Sequence, residues 1–350
     1  MAEQPAAIQP SLKITGLHIA GYRSIRQLDW PEDGLGWNGT VPDIVLVGGA
    51  NGSGKTTLLE GLFGVFEGWR SYEINEGGVF PGAKEVRLDL QVRSKHVRDA
   101  GRLRLAVGDP AFVHAQAELG DYRIPRGRGA GPRMRDMLAW EGLLEAAENA
   151  VYFDWNEMPR VIYFPSDRRL NLPASNRPDF RPVGQSYPFA WRFCAADSYE
   201  DSLTALLYRA RWEDLNAEKE GRPEAAHNFD AYADAFHRFV AGSKELIWYH
   251  ANLRVKTADG ALHDLPDLSS GEKQVLIFAA ELRRRWSPGS LVLIDEPELH
   301  LHEAWQSTLF GLIRDLQRER GGQAILSTQS NHLFGLGEPG SQVVLRKGWP

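Results

Sequence analysis

Residues 43–66 have the sequence DIVLVGGANGSGKTTLLEGLFGVF, in which a short apolar run, a glycine-rich turn and a helical pattern follow one another. The apolar run at 44–47 predicts a buried strand, and a helix is expected from about Thr57. Between them, residues 49–56 fit the pattern G-x-x-x-x-G-K-[ST] in the strand–turn–helix context that the pattern requires. This order favours a phosphate-binding turn over the alternative, a plain glycine-rich turn.

The chemistry of this turn follows from its residue types. Its glycines let backbone N–H groups face inward around phosphate oxygens, and the N-terminus of the following helix adds a partial positive charge. Lys55 is expected to reach the β- and γ-phosphates, and Thr56 to hold Mg²⁺. The residues predicted to bind the nucleotide here are Asn51, Gly52, Ser53, Gly54, Lys55, Thr56 and Thr57.

A second apolar run, LVLI at 291–294, is followed directly by two carboxylates, Asp295 and Glu296. At the end of a buried strand, Asp295 can support a Mg²⁺ shell. Glu296 projects to a different side and could act as a general base on an attacking water. Alone, this pair would indicate only a solvated strand end. In a chain that also has the pattern of a phosphate-binding turn, it predicts a metal ligand, Asp295, and a catalytic base, Glu296.

A third feature is the sequence LSSGEKQ at 268–274, a serine- and glycine-containing turn ahead of a helical pattern. A helix N-terminus of this kind can bind phosphate. Because the chain already has one phosphate-binding turn, this second one is expected to serve a nucleotide held by another subunit. The alternative is an ordinary N-cap, in which Ser269 or Ser270 caps the helix with Glu272 or Lys273 behind it.

Elsewhere in the chain, strand patterns alternate with helical ones, which predicts an α/β core with a parallel or mixed sheet. Residues 199–248 carry two helical patterns broken near EGRPEA, without the heptads of a long coiled coil. We expect three segments: residues 1–107 and 251–350 form two parts of one core, and residues 108–250 are an inserted, largely helical and irregular region.

Composition excludes several classes of protein. The 350 residues are 43% hydrophobic and 25% charged, with a net charge of −6, as in ordinary globular proteins. A single cysteine, Cys194, rules out a disulfide framework and suits a reducing compartment. The N-terminal sequence lacks signal-peptide features, and no apolar run is long enough to span a membrane. A cytoplasmic protein without membrane contact is expected.

Taken in order, the sequences GGANGSGKTT, LSSGEKQ, LIDEPELHLH and ILSTQS resemble those of an ABC-type ATPase, and specifically the branch that contains SMC, RecF and OLD proteins. The opening LHIAGYRSI resembles the first strand of that branch. The sequence VIYFPSDRRL at 161–170 resembles a segment of OLD-like AAA ATPases of phage-defence systems. The resemblance implies the ATPase head of a P-loop NTPase with a mixed sheet, a helical insertion and no long coiled coil.

The resemblance also implies roles for single residues. Ser269 and Gly271 match the signature residues that contact the γ-phosphate of a nucleotide on the opposite protomer. Arg23 and Ser24 lie where the branch often has a basic residue near the nucleotide. ATP and Mg²⁺ are the implied ligands, with Thr56 and Asp295 at the metal and Lys55 and Glu296 in catalysis, and the implied assembly is a head-to-tail homodimer closed around ATP.

Gln329, in ILSTQS, falls where such ATPases usually have a histidine that senses the γ-phosphate. A glutamine amide donates only a neutral hydrogen bond, whereas a histidine can carry a charge near neutral pH. We therefore expect Gln329 to sense ATP in a slow ATPase with weak pH dependence at this position. His332, three residues further on, is not expected to replace it.

Several interpretations stay open at this stage. His300 and His302 favour interface packing over a metal pair. The glutamine of the Q-loop is unassigned, with Gln91 and a glutamine in the 110–190 region as equal candidates. The arginines of a glycine-rich stretch suit either a solvated loop or contact with DNA or RNA; they are Arg123, Arg126, Arg128, Arg133 and Arg135. Arg283, Arg284 and Arg285, which end the helical pattern that follows LSSGEKQ, are expected to be structural.

Two departures from the family pattern bear on partners. Glu303 stands where a proline is usual, and the sequence after the last strand pattern leaves no room for the TOPRIM nuclease domain of OLD enzymes. We therefore expect an ATPase that controls a separate effector in anti-phage defence, with a nuclease as one candidate for that effector. The alternatives are a slow nucleotide-gated scaffold, an ATPase of DNA maintenance or repair, and the nucleotide-binding subunit of a transporter.

Overall fold

A computed structural model describes twelve parts of the chain, and all structural statements concern these. They are residues 11–30, 41–70, 84–94, 97–108, 116–119, 122–124, 160–166, 190–192, 203–222, 228–240, 242–250 and 252–345.

The described residues contain strands and helices in an alternating order. The strands are β1 (Ser11–Tyr22), β2 (Ile25–Trp30), β3 (Ile44–Gly49), β4 (Glu85–Ser94), β5 (Val97–Gly108), β6 (Gln116–Leu119), β7 (Tyr122–Ile124), β8 (Val161–Phe164), β9 (Ala190–Arg192), β10 (Lys244–Tyr249), β11 (Asn252–Thr257), β12 (Leu262–His263), β13 (Leu291–Asp295), β14 (Gln323–Thr328) and β15 (Gln342–Leu345). The helices are α1 (Lys55–Arg70), α2 (Leu203–Lys219), α3 (Asn228–Phe239), α4 (Ser270–Arg285), α5 (Glu303–Arg320) and α6 (Asn331–Gly335).

A six-stranded sheet in the order β15-β3-β14-β13-β8-β9 forms the centre of the fold. Every neighbouring pair in it is parallel. The carboxyl ends of parallel strands meet at one edge, and the register places Asp295 beside Ser327 and Thr328 beside Gly48. This arrangement confirms the predicted α/β fold class and brings the turns after β3, β13 and β14 together.

The remaining strands form two antiparallel sheets. One has the order β2-β1-β4-β5-β6-β7, and the other the order β10-β11-β12. The first sheet contains the predicted strand at the N-terminus, which turns back near Gly21, where φ is 59°. The strands of the central sheet alternate along the chain with strands of the antiparallel sheets, because parallel strands need longer connections than the short turns that can join antiparallel neighbours.

The central sheet is buried on both faces because its side chains alternate between two apolar clusters. Val45 and Val47 of β3 pack with α1 and the larger antiparallel sheet. Leu46, between them, packs instead with the cluster that includes side chains of α2 to α6. Burial on both sides explains why the central strands are continuous apolar runs rather than alternating patterns.

The interval 108–250 is not an insertion throughout, because it supplies β8 and β9 to the central sheet. The side chains of β8, VIYF, are almost fully buried between β13 and the helices, so this segment belongs to the core. Helices α2 and α3 match the two predicted helical patterns. Cys194 and most of the arginine-rich stretch lie outside the described residues; Arg123 falls in β7.

The expectation of helix up to residue 248 is wrong at its end. Residues Lys244–Tyr249 form β10, which pairs with β11 along its whole length. The sequences NLRVKT and ALHDLPDL, which also predict a hairpin, pair through only two residue pairs of β11 and β12. The sequence KELIWY is rich in β-branched and aromatic residues, and pairing with β11 decides its conformation. Among the helices described, none has the length and apolar character needed to cross a membrane.

Candidate functional site

The turn between β3 and α1, residues 49–54, is exposed to solvent at Gly52 and buried at Gly54. Gly52 has φ 76° and Gly54 has φ 97°, in the left-handed region that favours glycine. A Cβ at Gly52 would meet nothing within 4 Å, whereas one at Gly54 would lie 3.2 Å from the Ile25 side chain. The helix begins at Lys55, two residues before the expected start. The turn, called the phosphate loop below, therefore leaves room above its backbone N–H groups.

The Lys55 side chain is only 4% exposed and lies inside the phosphate loop. Its Nζ donates to the carbonyl oxygens of Gly49, at 2.8 Å, and Ala50, at 3.3 Å. The same Nζ lies 4.0 Å from the Glu296 Oε1. The loop thus holds a buried ammonium group beside a helix N-terminus, an arrangement that suits a bound anion such as a phosphate group.

Thr56 and Asp295 meet across the central sheet although they are 239 positions apart. The Thr56 hydroxyl donates to Asp295 Oδ2 at 2.8 Å, and the Ser327 hydroxyl donates to Oδ1. Asp295 is fully buried, which is explained by its place at the end of the central strand β13. A hydroxyl and a carboxylate are oxygen ligands of the kind that Mg²⁺ prefers, so these residues fit the metal expected with a nucleotide.

Glu296 has a strained backbone, with φ 46°. Its N–H donates to the carbonyl and to the hydroxyl oxygen of Ser327, each at 3.1 Å. A non-glycine residue in this region costs about 1–3 kcal/mol, and such strain persists where the surrounding structure enforces it. The strain here turns the carboxylate toward Lys55 and the phosphate loop.

The Gln329 side chain meets Glu296 directly. The Nε2 group of Gln329 donates to Oε1 of Glu296, the same oxygen that faces Lys55. His332 lies elsewhere, because its Nε2 is 2.7 Å from the hydroxyl of Ser307 on α5. The structure therefore brings Lys55, Glu296 and Gln329 together and leaves His332 out of the group.

Arg23 and Ser24 form the turn between β1 and β2, which lies against the start of α1. The Ser24 hydroxyl is 3.4 Å from that of Thr57. The Arg23 guanidinium forms an ion pair with Glu60 on α1 and is 57% exposed. Ser24 thus borders the phosphate loop, whereas the charge of Arg23 is directed to Glu60.

Ser269 is the N-cap of α4, and Ser269 and Glu272 form a reciprocal capping box. The Ser269 hydroxyl accepts from the Glu272 N–H at 3.3 Å, and Glu272 Oε2 accepts from the Ser269 N–H at 2.9 Å. Burial alone favours the neutral acid, but hydrogen bonds from Lys244 and Ser269 outweigh it and hold the pKa of Glu272 below its ordinary value. The N-cap alternative is therefore realised, and the hydroxyl hydrogen of Ser269 is still available to donate.

Gly271 packs against the turn after β13 rather than against the phosphate loop of its own chain. A Cβ at this position would lie 2.8 Å from the His300 carbonyl oxygen and 3.0 Å from the Trp305 ring. His300 has φ 65°, and the His302 ring caps α5 by accepting from the Ala304 N–H. The described parts of the chain contain no cluster of three or more His, Cys, Asp or Glu side chains that could hold a metal ion.

Three residues that the sequence did not single out complete the site: Ser327, Glu298 and Gln306. Ser327 fixes Asp295 and Glu296, and Glu298 and Gln306 contact the turn after β14. An acid two positions beyond Glu296 was a visible signal for Glu298. The residues that Glu298 contacts could not be predicted from the sequence, because the strand order decides which turns are neighbours.

Residues 192–335 match a family model described as AAA domain, putative AbiEii toxin, Type IV TA system. The matched segment starts at the end of β9 and includes Ser269, Asp295, Glu296 and Gln329, but not the phosphate loop. Similarity to an ATPase domain of the AAA/ABC type is thereby supported, whereas the OLD-like subtype stays a prediction. No curated protein matches the chain.

Three solved structures with the SMC head are similar to the chain over most of its length. The SMC head bound to the C-winged helix domain of ScpA has 16% identity and a TM-score of 0.48, covering 92% of this chain and 91% of that one. The SMC head with an extended coiled coil bound to the C-terminal domain of ScpA from Pyrococcus furiosus has 16% identity and a TM-score of 0.47, and the match covers 93% of this chain and 91% of that one. The SMC head domain from Thermotoga maritima has 13% identity and a TM-score of 0.45, and the match covers 92% of this chain and 91% of that one.

Proposed function

We propose that this protein binds and hydrolyses ATP, as an ABC-type ATPase that closes head-to-tail into a dimer. The observation that carries the proposal is the meeting of two distant segments: Thr56 donates to Asp295 at 2.8 Å, and Lys55 lies 4.0 Å from Glu296. A buried ammonium, a hydroxyl–carboxylate pair and a second carboxylate are the groups that phosphoryl transfer to water requires.

Each group has a separate task in this proposal. The phosphate loop and Lys55 bind and orient the β- and γ-phosphates, and Thr56 and Asp295 would hold Mg²⁺. When bound, Mg²⁺ supplies charge neutralisation of the phosphate oxygens. Glu296 accepts the proton of the attacking water as general base, and Gln329 orients that carboxylate through its amide.

Dimerisation through ATP rests on the turn at the start of α4. The Ser269 hydroxyl accepts its capping bond from Glu272 and keeps its own hydrogen, which can be donated to a γ-phosphate on another protomer. No described hydrogen bond joins this turn to the phosphate loop of its own chain, which agrees with a partner's nucleotide as the target. ATP binding would close the dimer and hydrolysis would open it.

The proposed role of the ATPase is control of a separate effector in anti-phage defence, with DNA or RNA as a candidate ligand. Support for the setting comes from the match of residues 192–335 to a family whose description includes a putative toxin of a type IV toxin–antitoxin system. DNA maintenance or repair is the alternative setting. Measuring ATPase rates with and without DNA or RNA distinguishes a nucleic-acid-dependent enzyme from one that responds only to a protein.

The substitution Glu296→Gln tests the enzymatic proposal. Because an amide cannot accept the proton of the attacking water, turnover should fall by about 10²- to 10⁴-fold, the usual contribution of a general base. ATP should still bind, so the variant should accumulate as an ATP-bound dimer in size-exclusion chromatography with light scattering. Glu303→Gln, on exposed α5, is the control and should turn over at the wild-type rate. Wild-type turnover in Glu296→Gln would refute the assigned base.

A slow, ATP-held scaffold is the second candidate, and one contact favours it. In this structure the amide of Gln329 already binds the Glu296 oxygen that faces Lys55, so the base is engaged within the protein. ATP would then be held for long periods between turnovers. Comparing single-turnover with steady-state rates separates this candidate from a fast enzyme.

Gln329→His probes the same contact. An imidazole can carry a proton in the range around pH 6.5, so the variant should turn over faster than wild type and gain a pH dependence in that range. The wild type should show no such dependence from this position. Steady-state turnover of the variant and the wild type is measured from about pH 5.5 to about pH 8.5, a range that includes the ordinary pKa of histidine. Unchanged rates in both Gln329→His and Gln329→Ala would exclude a sensor role.

A further inference from the structure

Glu298 lies two residues after Glu296, in the turn that follows β13, and its side chain reaches the turn that follows β14. Its Oε1 accepts three hydrogen bonds from consecutive residues: the Thr328 hydroxyl at 2.8 Å, the Gln329 N–H at 2.6 Å and the Ser330 N–H at 3.2 Å. Its other oxygen, Oε2, is buried without a hydrogen-bond partner among the described residues. One carboxylate oxygen therefore holds the whole turn.

The position of this carboxylate has a structural reason. Strand β14 ends at Thr328, so the next N–H groups have no neighbouring strand to bond, and an unsatisfied N–H near the core is costly. Strands β13 and β14 are parallel neighbours, which puts the two turns side by side. A charged acceptor in the first turn satisfies the donors of the second, and bonds to a charged group are stronger than neutral ones.

Gln306 makes a second connection between the same two turns. Its Oε1 accepts from the Ser330 hydroxyl at 2.7 Å, and its Nε2 donates to the Leu301 carbonyl at 3.0 Å. The residue is 7% exposed, so its side chain is confined by packing. Glu298 and Gln306 therefore fix the turn after β14 at both its start and its end.

We propose that Glu298 is a positioning residue, which holds the backbone of Gln329 where the Gln329 amide can orient the general base Glu296. This inference rests on the proposed ATPase function. The described hydrogen bonds of the Glu298 side chain go to the turn after β14, so we infer that it acts through Gln329. Its loss should lower the rate of the chemical step and leave ATP affinity nearly unchanged, because Lys55, Thr56 and the loop glycines do not contact it.

Oε1 of Glu298 accepts three hydrogen bonds and Oε2 accepts none among the described residues, so the isosteric substitution Glu298→Gln is informative. In Glu298→Gln the side-chain carbonyl can still accept all three bonds, and the new amide nitrogen can take the place of Oε2, which accepts none. Glu298→Ala removes the acceptor. Glu298→Asp keeps the charge but withdraws the oxygen by about one bond length, ~1.5 Å.

The first measurement is steady-state turnover of the full chain, with kcat and KM for ATP determined separately. Glu298→Ala and Glu298→Asp should lose about 10- to 100-fold in kcat, as expected for misplacement of a catalytic group by about 1 Å, with KM little changed. The kcat of Glu298→Gln should stay within about threefold of the wild-type value, because replacing a charged hydrogen-bond acceptor by a neutral one has only a modest cost. Glu296→Gln is the contrasting variant, because the same change two residues away should lower turnover by about 10²- to 10⁴-fold.

The second measurement does not depend on ATP hydrolysis. Amide hydrogen exchange of Gln329, without nucleotide, should be slow in wild type and Glu298→Gln and fast in Glu298→Ala and Glu298→Asp. Ser330 is a less direct probe, because its N–H also donates to the Thr328 hydroxyl oxygen at 3.0 Å. Equal protection in all four proteins would overturn the proposal, as would wild-type kcat in Glu298→Ala or an equal loss of kcat in Glu298→Gln and Glu298→Ala. If wild type lacks turnover but exchange follows the expected order, the proposed function fails while the holding role of Glu298 stands.

Discussion

Two turns in this protein look alike in sequence and differ in how their polar groups are satisfied. The phosphate loop at 49–54 and the turn at 268–271 both combine serine with glycine, and both precede a helix. In the phosphate loop, a buried lysine fills the inside and the glycines at 52 and 54 adopt positive φ angles. In the second turn, Ser269 and Glu272 cap each other and Lys244 neutralises the acid.

The difference teaches that a helix N-terminus can be open or self-satisfied. The phosphate loop leaves its positive end and its ammonium group for a ligand, so it can bind an anion within one chain. The second turn already uses the Ser269 N–H, the Ser269 hydroxyl oxygen and the Glu272 N–H in its capping box, so fewer of its polar groups are left for a ligand. It is therefore expected to add to a phosphate that is already bound, not to bind one alone.

The largest expected effect that tests this comparison is the loss of the loop lysine. Lys55→Met should lower the affinity of the isolated chain for ATP by about 10- to 100-fold, the worth of a charge-assisted hydrogen bond of about 1.5–3 kcal/mol. Lys273→Met, just after the second turn, is the matched control and should leave that affinity unchanged. Isothermal titration calorimetry measures both. Equal losses in the two variants would mean that the turns do not differ as proposed.

An intermediate effect is expected from adding a methyl group to the second turn. Gly271→Ala would place its Cβ 2.8 Å from the His300 carbonyl oxygen, so backbone would have to shift. The free energy of unfolding should fall by about 1–3 kcal/mol, the usual cost of overpacking. Ser270→Ala, at an exposed neighbouring position, should change it by less than about 0.5 kcal/mol. Urea denaturation followed by tryptophan fluorescence gives both values, and a fully stable Gly271→Ala would contradict the close packing.

The smallest expected effect is a dependence of stability on acid pH. The folded-state pKa of Glu272 is lowered, so its contribution is present above the unfolded pKa, near pH 4.3, and is lost as pH falls through the folded value. Glu272→Gln should remove this part of the acid dependence and cost roughly 0.5–1 kcal/mol at neutral pH, as for a partly exposed ion pair. Denaturation midpoints from neutral pH downward measure it. Glu245→Gln, on the exposed side of β10, is the control; an unchanged acid profile in Glu272→Gln would exclude the capping ion pair.

Most elements of the fold were predictable because their signals are local. The apolar runs before Gly49 and before Asp295 predict strands β3 and β13. Helix α5 begins and ends with the helical pattern EAWQSTLFGLIRDLQRER. The strand β10 was not predictable in this way, because pairing with β11 outweighs the local pattern. The placement of β8 in the central sheet also depends on neighbours, β13 and β9, that are far away in the sequence.

The candidate site divides along the same line. Lys55, Thr56, Asp295 and Glu296 follow from motifs whose spacing has a chemical meaning. The contacts of Ser327 with Asp295 and of Glu298 with the turn after β14 do not, because they depend on which strands are neighbours. Ser269 is an intermediate case: its sequence allowed two interpretations, and the structure realises the capping one without using the hydroxyl hydrogen.

The sequence by itself determined that the chain has a glycine-rich turn with the pattern of phosphate-binding turns, two acids at a strand end, a serine before a helix and a glutamine after a buried strand. Only the tertiary structure decided that the glycine-rich turn, the two acids and the glutamine meet, and that the capped helix does not join them within the chain. Thr56 and Asp295 are separated by 239 positions, and Gln329 and Glu296 by 33. A parallel sheet gathers the ends of its strands at one edge, but the order of those strands is set by packing on both faces, which no single stretch of sequence contains.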